Sequence, residues 1–148
     1  MNSKSLFDQD VFDQSLERIN KLTSDTKPDW GRMDTAQMLA HCAEVIDVSN
    51  GKPLKNTPWL VKLLKGMIKK MVIGPTPYPR STRTHPQYLQ NSPKEFQAEK
   101  KHLLEALTKL KELEDSDVPH PLFGNLTKQE KGWAMYKHLD HHLTQFGV

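Results

Sequence analysis

Two histidines, His138 and His142, stand four residues apart near the end of the chain, within Lys137-His138-Leu139-Asp140-His141-His142. If this stretch is helical, about 100° per residue puts Met135, Leu139, His142, Leu143 and Phe146 on one apolar arc, with Tyr136 at its far edge. His142 then lies inside the arc, His138 at its near rim, and His141 points well outside, towards solvent. An i,i+4 pair sets two Cβ atoms about 5–6 Å apart on one helix face. Imidazoles so placed can share a divalent metal through bonds near ~2.0–2.1 Å. Buried without a metal, each would need a hydrogen-bond partner of its own. A third ligand has to come from another element, and His41 is the candidate, one turn from Met38 and from Val45 at the edge of an earlier apolar face. If the two helices pack side by side, His41, His138 and His142 converge near one end of the core. Three imidazoles leave coordination positions open, the pattern of catalytic rather than closed structural sites. Leu139 follows His138, which excludes the HExxH motif of metalloproteases.

The elements that must position these residues are all helical in period, and no alternating strand is evident. The first helix runs from about Asp8 to Thr23. The second opens at Asp34, where Asp34 and Gln37 have capping-box spacing, and stops near Asn50-Gly51. An amphipathic basic helix follows from Pro58 to Ile73, then an irregular, Pro-rich stretch to about Ser92. A long helix starts at Ser92-Pro93, with Pro at its first helical position, and reaches about Glu114. It buries Phe96, Leu103, Leu107 and Leu110. The last helix opens at Thr127 with a second capping box to Glu130 and runs to about Gln145. The pattern predicts an all-α fold: an antiparallel four-helix bundle in one domain, residues 1–148. The connection from Asn50 to Ser92 is long enough to cross the bundle between its second and third helices, and it carries the extra short basic helix.

Trp30-Gly31-Arg32-Met33 leading into Gln37-Met38-Leu39-Ala40-His41, together with His120-Pro121-Leu122-Phe123-Gly124 and the tail from Lys137 to Gly147, resembles the DinB-like superfamily, in a branch of uncharacterised function. The resemblance implies a four-helix bundle with a long crossover between its second and third helices. It also implies a metal site built from one histidine of the second helix and an HxxxH pair of the fourth. By position these are His41, His138 and His142. Zinc or nickel is the metal it implies, and thiol-dependent transferases and isomerases are the activities. The partner would then be a small-molecule thiol or an electrophilic substrate. No catalytic side chain beyond the metal ligands is assigned by the sequence.

Composition narrows the alternatives. The 148 residues suit one domain, and a single cysteine excludes an intrachain disulfide framework. A formal net charge of +3 is too small for a nucleic-acid signature. The acids in MNSKSLFDQD replace the apolar core of a signal peptide. Lys62, Lys65, Lys69 and Lys70 interrupt the longest apolar stretch, so no transmembrane segment is expected and a cytoplasmic location is. Cys42, although next to His41, falls on the buried face and reads as a small core residue. His85, His102 and His120 read as structural or exposed. Trp30 is a candidate pocket wall, Glu99 a candidate partner for a ligand imidazole, and Arg80 and Arg83 candidate anion contacts. Two rivals accompany the metal-dependent transferase: a non-catalytic module binding a partner or membrane through residues 58–73, and a metal-dependent hydrolase, for which no general base is evident. The apolar face of the basic helix also allows a homodimer.

Overall fold

In the computed structural model, residues 4–148 are described, and they form helices joined by loops. Four long helices dominate: α1 (Gln9–Asn20), α2 (Thr35–Ser49), α5 (Phe96–Glu112) and α6 (Lys128–Gln145). Between α2 and α5 lie α3 (Trp59–Leu63), α4 (Lys65–Ile73) and a 3-10 turn, Pro86–Tyr88. The protein is an all-helical bundle. Among the described residues no helix is long and apolar enough to cross a membrane.

The centre of the bundle is α2, buried on nearly every side because Ala, Cys, Val and Met alternate with few long polar residues. It packs against α5 and α6, and the turn Pro86–Tyr88 closes over it. Met38, Leu39, Cys42 and Ile46 of α2 join Leu103, Leu107 and Leu110 of α5 and Leu139 and Leu143 of α6 in one apolar cluster. α1 adds Ile19, and the segment before it adds Leu6 and Phe7, which lie across α6 at Gly132. A Cβ at Gly132 would collide with Ser5 Oγ and come within 2.8 Å of the Phe7 ring, so that crossing requires glycine. Both capping boxes form as their spacing indicates, Asp34 with Gln37 on α2 and Thr127 with Glu130 on α6.

Two boundaries differ from sequence expectation. The long helix begins at Phe96, because the Glu95 carboxylate accepts from Gln97 N and Ala98 N and ends the free amides there. Ser92-Pro93 is left in the preceding loop, where Ser92 O accepts from Gln37 Nε2 at 3.1 Å. The basic helix expected over 58–73 is bent into two pieces at Leu64, whose φ of −95° and ψ of 8° leave the helical well. Hydrogen bonds persist on both sides of the bend, Leu64 N to Leu60 O and Ile68 N to Leu64 O, both 3.0 Å. Gly66, just beyond, is a poor helix former that offers no side chain to straighten the axis.

Candidate metal centre

His41 on α2 meets His138 and His142 on α6 near the end of the core. Their ring centroids form a nearly equilateral triangle, 4.9 Å from His41 to His138 and 4.7 Å on each of the other sides. One ring nitrogen from each residue lies within 4.8 Å of the others, an arrangement that could hold a metal ion. His41 Nε2 and His138 Nε2 are 3.0 Å apart. Two nitrogens each ~2.1 Å from one ion at ordinary bond angles are about 3.0–3.4 Å apart, so this spacing already suits shared ligation.

The partners of the outer nitrogens fix which inner nitrogens carry lone pairs. His41 Nδ1–H donates to the carbonyl of Tyr88 at 2.8 Å, leaving Nε2 bare. His142 Nδ1 lies 2.7 Å from Gln145 Oε1. Gln145 is oriented by its own amide, Nε2 donating to the Trp30 carbonyl at 2.8 Å, so Oε1 must accept and His142 must carry its proton on Nδ1. Two of the three imidazoles thus present unprotonated Nε2 atoms inward. His138 then donates through Nε2 to His41. Moving that proton to Nδ1 changes no charge and would free a third lone pair.

Burial keeps these rings neutral. Desolvation lowers the pKa of His41, with the neighbouring His141 adding to the effect against the Tyr88 hydrogen bond. His138 is held well below the ordinary histidine value by burial and by the surrounding imidazoles. His142 is pushed down to about 3, mainly by burial and then by His41. Neutral imidazole is the form that ligates metals.

A rim of loop residues surrounds the triad. His141, expected in solvent, is half-buried because two loops fold back over it: its ring lies 5.8 Å from Trp30 and 5.7 Å from Tyr78. Tyr78 also stands 6.4 Å from His138, and burial raises its phenol pKa to about 12. Arg80 stacks its guanidinium 4.2 Å above Trp30. Of the anion contacts suggested by the sequence, Arg80 reaches this rim through Trp30, and among the described residues no contact of Arg83 links it to the triad. Beneath the rim, Lys137 is buried with its ammonium donating to Met71 O and Gly74 O at the end of α4 and lying 4.4 Å from the Tyr78 ring centre.

The remaining candidates fall elsewhere. Glu99 lies 3.5 Å from His102 Nδ1, and His102 Nε2 contacts Asp47 at 2.7 Å, so neither residue serves the triad. His85 accepts from Gln87 N and contacts Thr57 Oγ1; His120 accepts from Leu122 N and Phe123 N; both organise turns. Cys42 is fully buried against Met38 Sδ, and desolvation raises its thiol pKa, so it is no nucleophile. Two contributors escaped sequence reading. Gln145 stands three residues after His142, a helical spacing that points to it; the Tyr88 carbonyl leaves no mark in the side-chain pattern.

The chain matches, over residues 1–147, the family described as Protein of unknown function (DUF1569). It belongs to that family. No curated protein matches it, and no solved structure does. In this DUF1569 member, both ends of the chain build the candidate centre: the Trp30-Gly31 turn holds Gln145, and Gln145 holds His142.

Proposed function

We propose that this chain is a DinB-like domain, residues 1–148, whose His41, His138 and His142 bind one divalent cation, zinc or nickel, and that it is a metal-dependent thiol transferase. The observation that carries the metal reading is the pair of inward Nε2 atoms left bare by the Tyr88 carbonyl and by Gln145. Outer partners that fix the tautomer in this way characterise metal-ligating histidines. A divalent cation held there supplies Lewis acidity to a thiolate or to the electrophile it attacks.

The surrounding residues favour transfer over hydrolysis. Hydrolysis is assisted by a general base near the cation, and the α2 and α6 carboxylates next to the triad in sequence are engaged elsewhere. Asp140 pairs with Arg18 at 2.7 Å, Glu44 with Lys52 at 2.7 Å, and Asp47 with His102. Tyr78, with its raised pKa, is a proton donor at neutral pH rather than a base. Trp30, Tyr78 and Arg80 offer a wall with an aromatic surface and one guanidinium, suited to a small substrate with an anionic group.

Metal analysis of chelator-stripped protein reloaded with zinc or nickel tests the site. The expected result is about one ion per chain in the parent and none in His138→Ala/His142→Ala. Unchanged stoichiometry in the double variant excludes these ligands. The reaction is tested by a panel of low-molecular-weight thiols with an epoxide or maleylpyruvate as electrophile. Turnover should require both thiol and metal, and metal-dependent hydrolysis without thiol would favour the hydrolase.

A further inference from the structure

The segment α3–α4 leaves its apolar side chains in solvent. Trp59, Leu63, Met67 and Met71 recur every fourth residue and are 75%, 70%, 63% and 40% exposed, with Leu60 beside them at 49%. Of the six exposed large hydrophobic side chains among the described residues, these are five. The stripe continues across the bend at Leu64. Among the described residues nothing covers it, although α4 is anchored from the other side: Val72 packs on the core, and Gly74 O accepts from Trp133 Nε1 and Lys137 Nζ.

The charge around the stripe says what would cover it. Residues 48–94 contain nine Lys and Arg and no Asp or Glu, while the rest of the chain holds twelve basic against eighteen acidic residues. The small net charge therefore conceals a strongly cationic segment on an acidic body. Lys62, Lys65 and Lys70 are exposed on the same two helices as the stripe. Cationic side chains flanking an apolar face that includes tryptophan are the composition of helices lying in the plane of an anionic bilayer. The apolar side chains enter the headgroup boundary while lysine ammonium groups reach lipid phosphates. A second copy of this chain would bring Lys62, Lys65 and Lys70 against their own counterparts, which disfavours a symmetric pairing through this face.

We propose that α3–α4 docks the protein onto anionic lipid surfaces, with Trp59, Leu63, Met67 and Met71 as the inserted face. The docking is independent of the metal centre, and its test needs no metal. Binding of the full chain is measured by co-sedimentation with phosphatidylcholine vesicles with and without phosphatidylserine, with Trp emission followed in parallel. Binding should require the anionic lipid, weaken with added salt, and shift the emission to shorter wavelength in the parent but not in Trp59→Phe. Lys62→Gln/Lys65→Gln should lower partitioning roughly 10–30-fold, and Leu63→Asp/Met67→Asp should abolish it. Because all four residues are exposed, unchanged circular dichroism and melting establish that these variants remain folded. Failure of the parent to bind anionic vesicles, or equal binding to neutral ones, overturns the proposal. So does a dimer in sedimentation equilibrium that Leu63→Asp dissolves, since the stripe would then be covered by another copy.

Discussion

His142 owes its orientation to Gln145, and Gln145 owes its own to the Trp30 carbonyl, so the centre depends on a residue that touches no candidate ion. Removing the acceptor frees His142 to take the other tautomer. Gln145→Leu should therefore weaken zinc affinity about 10–100-fold in a chelator competition, whereas Gln145→Glu, which keeps the acceptor for His142 but loses the donor to the Trp30 carbonyl, should weaken it less. Gly31 reaches the same chain of contacts from the loop. Its φ is +88°, and a Cβ there would lie 2.6 Å from Gln145 Nε2. Gly31→Ala should cost about 1–3 kcal/mol in denaturant unfolding and share part of the loss of affinity. Helical phase alone selected His41, His138 and His142, because core-facing positions recur with a period that sequence displays. It misplaced His141, since phase describes one helix and says nothing of loops that fold back over it.

Among the elements, helices whose ends are written in local chemistry were legible: the Asp34–Gln37 and Thr127–Glu130 boxes stand where their spacing puts them. The start of α5 was not, because Ser92-Pro93 has the form of a helix opening while the Glu95 carboxylate, three residues on, satisfies two amides and sets the start there. The stretch between α2 and α5 was least legible. Its order rests on single side chains making several bonds at long range, and Gln87 is the main one. Gln87 Nε2 donates to Glu44 Oε1 and to Pro53 O, each at 3.0 Å, and its Oε1 accepts from Lys55 N at 2.7 Å. This ties the turn Pro86–Tyr88 to α2 and so holds the carbonyl that His41 uses. Gln87→Leu would leave the largely buried Glu44 with one partner fewer. It should lower stability by about 1–3 kcal/mol and reduce metal affinity by less than Gln145→Leu does, as read by the same denaturation and competition measurements.

For the molecule as a whole, a net charge of +3 averaged away the cationic segment, while the seven histidines together set a dependence on acid. Six of them have lowered pKa values, in each case chiefly through burial: His41, His85, His120, His138, His141 and His142. Only His102 is raised: burial opposes its protonation, but Asp47 and Glu99 outweigh it, and at a partly exposed site that pair adds little. Above the unfolded value of 6.5 both states hold neutral imidazoles, and these groups do not affect stability. Below it the unfolded chain takes up protons that the buried rings refuse, so stability falls with pH until the folded values are reached, about 4 for His120 and about 3 for His142. His120 and His142, with folded values of about 4 and about 3, then each cost about 2 kcal/mol by roughly pH 5, and the burial of His41 and His138 acts in the same direction. The His120 and His142 costs together approach the lower end of the stability of a typical domain. Metal-free protein should accordingly show a steep drop in urea midpoint between about pH 6.5 and pH 5, with proton uptake on unfolding. Excess zinc should move that drop to lower pH, because an ion bound only by the folded state adds to its stability. His120→Asn, remote from the triad, should flatten the metal-free profile without altering the displacement produced by zinc. A profile level across this range would contradict the burial of the rings, and a drop unmoved by zinc would contradict their ligation.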